Sequence, residues 1–188
     1  MIRMKTAYLF SSSSAIQWYQ ECYDPAYMVE MFTIGYEGLT PSEFTTTLAR
    51  AGVERIVDVR ELAVSRRPGF AKSALTTSLF DAGIAYTHVP ALGCPREIRH
   101  AYREDLNWKR YTKRFCAYLE TRHSDLEKLL ELVQRERCCL LCYEADFNFC
   151  HRFFVAERLR SFAPGIRVNH LISPAQDRVV PNRELAAA

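Results

Sequence analysis

No stretch of this 188-residue chain approaches the ~20 consecutive apolar residues of a membrane span. The apolar run near its start, Ala7–Phe10, is shorter than the ~7–15 residues of a secretory signal core. Both absences lead us to expect a cytoplasmic protein with no membrane partner. Charge of one sign is also scarce. A formal net charge of +3 is too small to establish a nucleic-acid partner, which must rest on local clustering instead. The seven cysteines are odd in number and lack the spacing of a disulfide framework, as expected of a reducing compartment. No internal repeat or low-complexity tract is present. What the chain does have is core-forming material. At 48% hydrophobic and 12% aromatic, it suits one globular domain and not a disordered chain.

Residues 1–30 read as an N-terminal extension. They reflect either a start codon placed too early, since Met31 opens a strand-like MFTIG, or an appended helix with Ser14 as N-cap and Gln17 completing a capping box. From Met31 onward strand and helix patterns alternate. MFTIG, ERIVDV, IAYTHV, CCLLCY and VNHLIS read as strands. Thr40-Pro41-Ser42-Glu43 starts a helix with a capping box, Phe44 and Leu48 share its inner face, and Ala51-Gly52 ends it. Further helices are expected near Lys72–Ala82, from about Trp108 to Arg122, from a capping box at Ser124 to about Arg137, and over His151–Phe162. Residues 31–175 therefore form a single three-layer α/β domain with a mainly parallel sheet of about five strands, followed by a tail over 176–188.

In such sheets ligands bind outside the carboxyl ends of the strands. Here those ends carry Tyr36-Glu37-Gly38, then Asp58 and Arg60, then His88 with Leu92-Gly93, and finally Cys142 to Arg152. Four strands thus deliver ionisable or reactive groups to one edge, beyond what bland polar loops require.

The segment LLCYEADFNFCHR, Leu140–Arg152, holds two cysteines, two acids, a histidine and an arginine. Cys139 and Cys142 form a C-x-x-C pattern. On a strand, residues three apart face opposite sides, so these two thiols cannot easily share one ion, and Cys138 and Cys139 read as small core hydrophobes. Cys142, Cys150 and His151 remain as candidate ligands for a divalent metal, with Glu144 on the strand face of Cys142, although a C-x7-C-H spacing is not a zinc-finger pattern. Cys150 falls at a helix start, followed by His151 and Arg152, where backbone N–H groups and positive charge favour a thiolate. The alternative is a thiol that merely packs beneath its loop. A C-x5-R phosphate loop fails on spacing, because Phe147 and Asn148 stand where its arginine belongs. Glu144, Asp58 and Glu37 are candidate proton carriers, while Asp58 could equally pair with Arg60. Arg60, Arg66, Arg67 and Lys72 face one acid, Glu61, after the second strand. Residues 96–114 carry seven Lys/Arg against three acids, with Tyr102, Trp108 and Tyr111 interleaved, a pattern suited to phosphates and stacked bases. A solvated helix face whose aromatics anchor it to the core is the competing account.

Taken in order, TIGYEG, DVR, PGFAKSAL, GIAYTHVPALG, LLCYEADFNFCHR and VNHL resemble the family called domain of unknown function 488, over about residues 31–173. The resemblance implies a Rossmann-like α/β domain. It also implies that Tyr36, Glu37, Asp58, Arg60, His88, Cys142, Glu144, Cys150, His151 and Arg152 form one site. It supplies no reaction and gives no role to Cys94. The expectation is a thiol-dependent or acid–base transferase or hydrolase. Cys150 or Cys142 would act as nucleophile or metal ligand, and Glu144, Asp58 and His151 would handle protons. Arg60 and Arg152, with Tyr36, Glu37 and His88, would hold a phosphorylated small molecule or nucleic acid. A non-catalytic nucleic-acid-binding or metal- and redox-sensing module is the alternative.

Overall fold

The computed structural model describes residues 28–176. Its elements run β1 (Val29–Gly35), α1 (Pro41–Arg50), β2 (Arg55–Asp58), α2 (Lys72–Asp81), β3 (Ala85–His88), α3 (Arg96–Asp105), α4 (Trp108–Leu119), α5 (His123–Val133), β4 (Cys138–Cys142), α6 (His151–Phe162) and β5 (Ile166–Leu171). Every ladder is parallel, and the strand order is β3-β2-β4-β1-β5. This is the three-layer, Rossmann-like α/β domain that alternating strand and helix patterns imply. β1 begins at Val29, two residues before Met31. The N-cap expected at Ser14 and the tail beyond Gln176 lie outside the described residues.

β4 occupies the centre of the sheet, and all five of its residues are buried. A strand covered on both faces needs no polar alternation, which is why CCLLC is apolar throughout. Cys139 and Leu141 face α1 and α2, joining Phe44, Leu48, Leu75 and Leu79 in one core. Cys138 and Leu140 face the other way, toward Phe115, Leu126, Leu129, Val155 and Leu159. Each leucine so buried contributes ~1.5–3 kcal/mol. The same alternation turns Cys142 away from Cys139.

The local signals were unevenly obeyed. At α1 the capping box is complete, with Glu43 N–H donating to Thr40 Oγ1 at 3.3 Å and Thr40 N–H donating to Glu43 Oε2 at 2.8 Å. The box expected at Ser124 does not form. α5 starts one residue earlier, Arg122 caps it without a side-chain bond, and the helix stops at Val133 rather than near Arg137. The segment before Trp108 contains α3, separate from the helix that starts at Trp108. It ends where Leu106 takes a left-handed conformation, φ 51°, and Asn107 then caps α4 through its side chain. The chain therefore makes two short helices here, and they become one wall of a cleft.

Candidate active site

The site is built from the carboxyl end of β4 and the amino end of α6. Cys142 is the last residue of β4, Glu144 lies two residues on, and a short 3-10 turn, Phe147–Phe149, returns the chain to Cys150. Asp146 caps that turn by accepting from Asn148 N–H at 2.9 Å. Cys150 is the N-cap of α6, and His151 and Arg152 open the helix. Gly35 lets this loop pass. A Cβ there would lie 1.7 Å from the Glu144 carbonyl oxygen, so no larger residue leaves the backbone where it is. Glu37 accepts from Ala145 N–H at 3.0 Å, and Arg152 donates to the carbonyls of Glu144 at 2.5 Å and Ala145 at 3.0 Å.

Four donor groups converge as a result. The ligand-type atoms of Cys142, Glu144, Cys150 and His151 all lie within 4.8 Å of one another. Cys142 Sγ sits 2.7 Å from Glu144 Oε2 and 3.4 Å from His151 Nδ1, and Cys150 Sγ sits 3.1 Å from the same carboxylate oxygen. His151 Nε2 is 2.8 Å from the Val59 carbonyl, which can only accept. Nε2 therefore carries a proton, and Nδ1 faces the sulfurs with its protonation free to vary. The Phe115 ring meets the imidazole edge-on at 5.6 Å.

Burial and mutual contact set the charges. Burial and the hydrogen bond to Cys150 push the Cys142 thiol well up. Burial would do the same to Cys150, but the bond from Cys142 and the positive charges of Arg152 and His151 outweigh it and hold that thiol well below its ordinary range. His151 is shifted up, burial being overcome by its hydrogen bond to Cys150 and by negative charge on Cys150 and Glu144. Burial raises Glu144 to about 7, helped by charge on Cys150. The protein alone thus favours a thiolate–imidazolium pair beside a carboxyl group poised to exchange a proton near neutrality.

The cluster forms the floor of a cleft of about 760 Å³. One wall is the loop after β2, with Leu62, Val64, Arg66 and Arg67. The other is α3 and α4, with Arg99, Tyr102, Arg103 and Trp108. Five arginines and two acids line it. Among the described residues Arg66 and Arg103 make no ion pair. Trp108 stacks on Tyr111 at 4.7 Å and lies 5.4 Å from Phe149, itself exposed at the cleft. Tyr111 anchors the helix in the core, while Tyr102 and Trp108 stay half-buried at the cleft.

The structure sorts the expected residues into two layers. Cys142, Glu144 and His151 line the cleft with Tyr36 and Arg60, and Cys150 lies just beneath. Asp58, His88, Glu37 and Arg152 stand behind it. Arg60 donates to both Asp58 oxygens (2.8 and 2.6 Å), to Tyr36 Oη at 3.1 Å and to the Phe70 carbonyl at 2.9 Å. Asp58 also accepts from Tyr86 Oη at 2.7 Å. His88 Nε2 bonds the Arg60 carbonyl at 2.9 Å, fixing the loop. Arg60 and Arg152 thus direct their donors to the protein itself. Sequence reading missed Glu61, Tyr143, Phe149 and Cys94 as lining residues. It also missed Gln176, which donates to the Gly35 and Glu37 carbonyls at 2.7 and 2.8 Å. The LG of PALG was the available signal. Gly93 passes so near Glu61 that a Cβ would meet its backbone nitrogen at 2.2 Å, bringing Cys94 and α3 against the loop after β2.

No curated protein and no solved structure matches the chain. Residues 40–159 match the family described as Domain of unknown function DUF488, a span running from the cap of α1 to the third turn of α6 and including the whole four-donor cluster. The chain belongs to that family.

Proposed function

We propose that this protein is an enzyme, a hydrolase or group transferase, that acts on a nucleotide unit, either free or within a single strand. The observation carrying this reading is convergence: the reactive cluster Cys142–Glu144–Cys150–His151 closes the end of the same cleft whose walls hold Arg66 and Arg103, without ion pairs among the described residues, and the rings of Tyr102, Trp108 and Phe149. Arginines meet phosphate and exposed rings stack on a base. A volume of about 760 Å³ lies within the ~300–1,000 Å³ of small-ligand sites. With the ligand so held, a reacting bond would reach the cluster, where a nucleophile and the Glu144 carboxyl are adjacent.

The test is to incubate the protein with a mixed pool of nucleotides and short single-stranded oligonucleotides and read new masses. A product formed by the wild type and reduced at least about 100-fold in Glu144→Gln supports the reading. Salt-sensitive binding with no product from any pool member would make the protein a binding module. Neither binding nor product would remove nucleotides altogether.

A further inference from the structure

The four-donor cluster has a composition and an outer environment that the cleft alone does not explain. It presents two sulfurs, one imidazole nitrogen and one carboxylate oxygen, all within 4.8 Å. Soft thiolates with an imidazole select zinc-type divalent cations over magnesium or calcium. The groups come from two rigid elements, Cys142 from the central strand and His151 from the first turn of α6, so their convergence is a property of the fold. Cys139, three residues before Cys142, points to the opposite core and takes no part.

His151 supplies a second, independent sign. Its Nε2–H donates to the Val59 carbonyl at 2.8 Å while Nδ1 points at Cys142 Sγ, 3.4 Å away. An imidazole held by a carbonyl through one nitrogen leaves the other to act as ligand once a cation displaces its proton, the usual outer arrangement of a metal-bound histidine. Arg152, the nearest permanent cation, directs its three nitrogens to Thr33 Oγ1 and to the carbonyls of Glu144 and Ala145. It braces the loop that carries the donors.

Exposure then distinguishes the four. Cys142, Cys150 and His151 are buried, and Glu144 alone is half-exposed, on the cleft side. Three closed protein ligands with one exchangeable position is the pattern of a catalytic zinc rather than a structural one. We propose that Cys142 Sγ, Cys150 Sγ and His151 Nδ1 hold a zinc ion at the cleft floor, with Glu144 as a fourth ligand that a water or substrate oxygen can replace. This deepens the reading of the cluster as the reacting centre. Its test is metal content and spectroscopy, so it can fail or succeed whatever the nucleotide pools show.

Metal-free full-length protein is titrated with cobalt(II), and thiolate-to-cobalt absorption is followed. The wild type should saturate at one ion per chain, and zinc should displace the cobalt. Zinc should also raise the thermal midpoint of the wild type, and a chelator should reverse the rise. Cys142→Ser and Cys150→Ser should each weaken cobalt binding at least tenfold, whereas Cys139→Ala should leave it unchanged. Circular dichroism checks that each variant is folded. Glu144→Gln, on the exposed side, should keep the absorption band with reduced affinity. A wild type with neither band nor zinc-dependent midpoint overturns the site without recourse to any variant. A band equally strong in Cys142→Ser and Cys150→Ser overturns the ligand assignment, and unchanged affinity in Glu144→Gln overturns the fourth ligand.

Discussion

Asp58 and Arg60 carry opposite charges into the interior beneath the cleft, Asp58 fully buried and Arg60 6% exposed. Removing one partner strands the other. Asp58→Ala should destabilise the fold by about 3–5 kcal/mol in chemical denaturation, because Arg60 keeps a charge that burial no longer compensates. From sequence, Arg60 was an anion holder and Asp58 either a proton carrier or its partner. The pairing was within reach, two residues apart, but its burial was not, since depth depends on Tyr86 and Phe70 from other elements. Cys150 was easier to read, because a helix start followed by His151 and Arg152 is written locally. In metal-free protein its thiol is held below the ordinary range and that of Cys142 above it. Thiolate ultraviolet absorbance should therefore persist as pH falls well below ~8.5, and this component should vanish in Cys150→Ser but survive in Cys142→Ser. Absorbance that appears only above that pH would contradict the charge assignment.

Elements hold the site through close backbone approach and through β5. Gly35→Ala drives a Cβ into the Glu144 carbonyl and should cost more than about 2 kcal/mol, with a matching loss of whatever the cluster binds. Thermal unfolding measures the first effect and cobalt titration the second. His170 on β5 stacks on Phe147 at 3.7 Å and bonds Thr33 Oγ1 at 2.8 Å, tying the sheet edge to the site loop. Burial and the nearby Arg152 charge lower its pKa from 6.5 to about 4. Between those values the unfolded chain binds the extra proton, so this contribution is complete above about pH 6.5 and falls away as pH drops toward 4. His170→Gln should lose less stability than the wild type across that window in urea midpoints; parallel decline would remove His170 as the cause. Element boundaries show what sequence could and could not give. Thr40 formed its capping box because Pro41 and Glu43 agree with it. Ser124 did not, since the backbone already turns helical at His123. α3 was not separated from the helix after it, because Pro95 at its N-cap makes no side-chain bond and no glycine marks its end, where Leu106 turns left-handed instead.

At the scale of the molecule, the parallel sheet was the most legible feature, and its strand ends alone bring the candidate residues to one edge. Alternation along CCLLC separated Cys139 from Cys142, and the sheet confirms that separation. What pattern could not supply was the division into cleft-facing and supporting layers. That division follows from the approach of α3 and α4 to the loop after β2, across more than thirty residues of sequence, as in the Arg99–Glu61 ion pair. Arg66, Arg103 and Trp108 become one surface only there. The chain has two tryptophans, so Trp18→Phe leaves Trp108 as a reporter inside the cleft. The most direct measurement is its fluorescence as nucleotides, free or within a single-stranded oligonucleotide, are added at low and high salt. The account predicts saturable quenching at low salt, weakened as salt rises and reduced further in Arg66→Ala and Arg103→Ala. Fluorescence that does not change at low salt, or a response indifferent to salt and to both arginines, would contradict it.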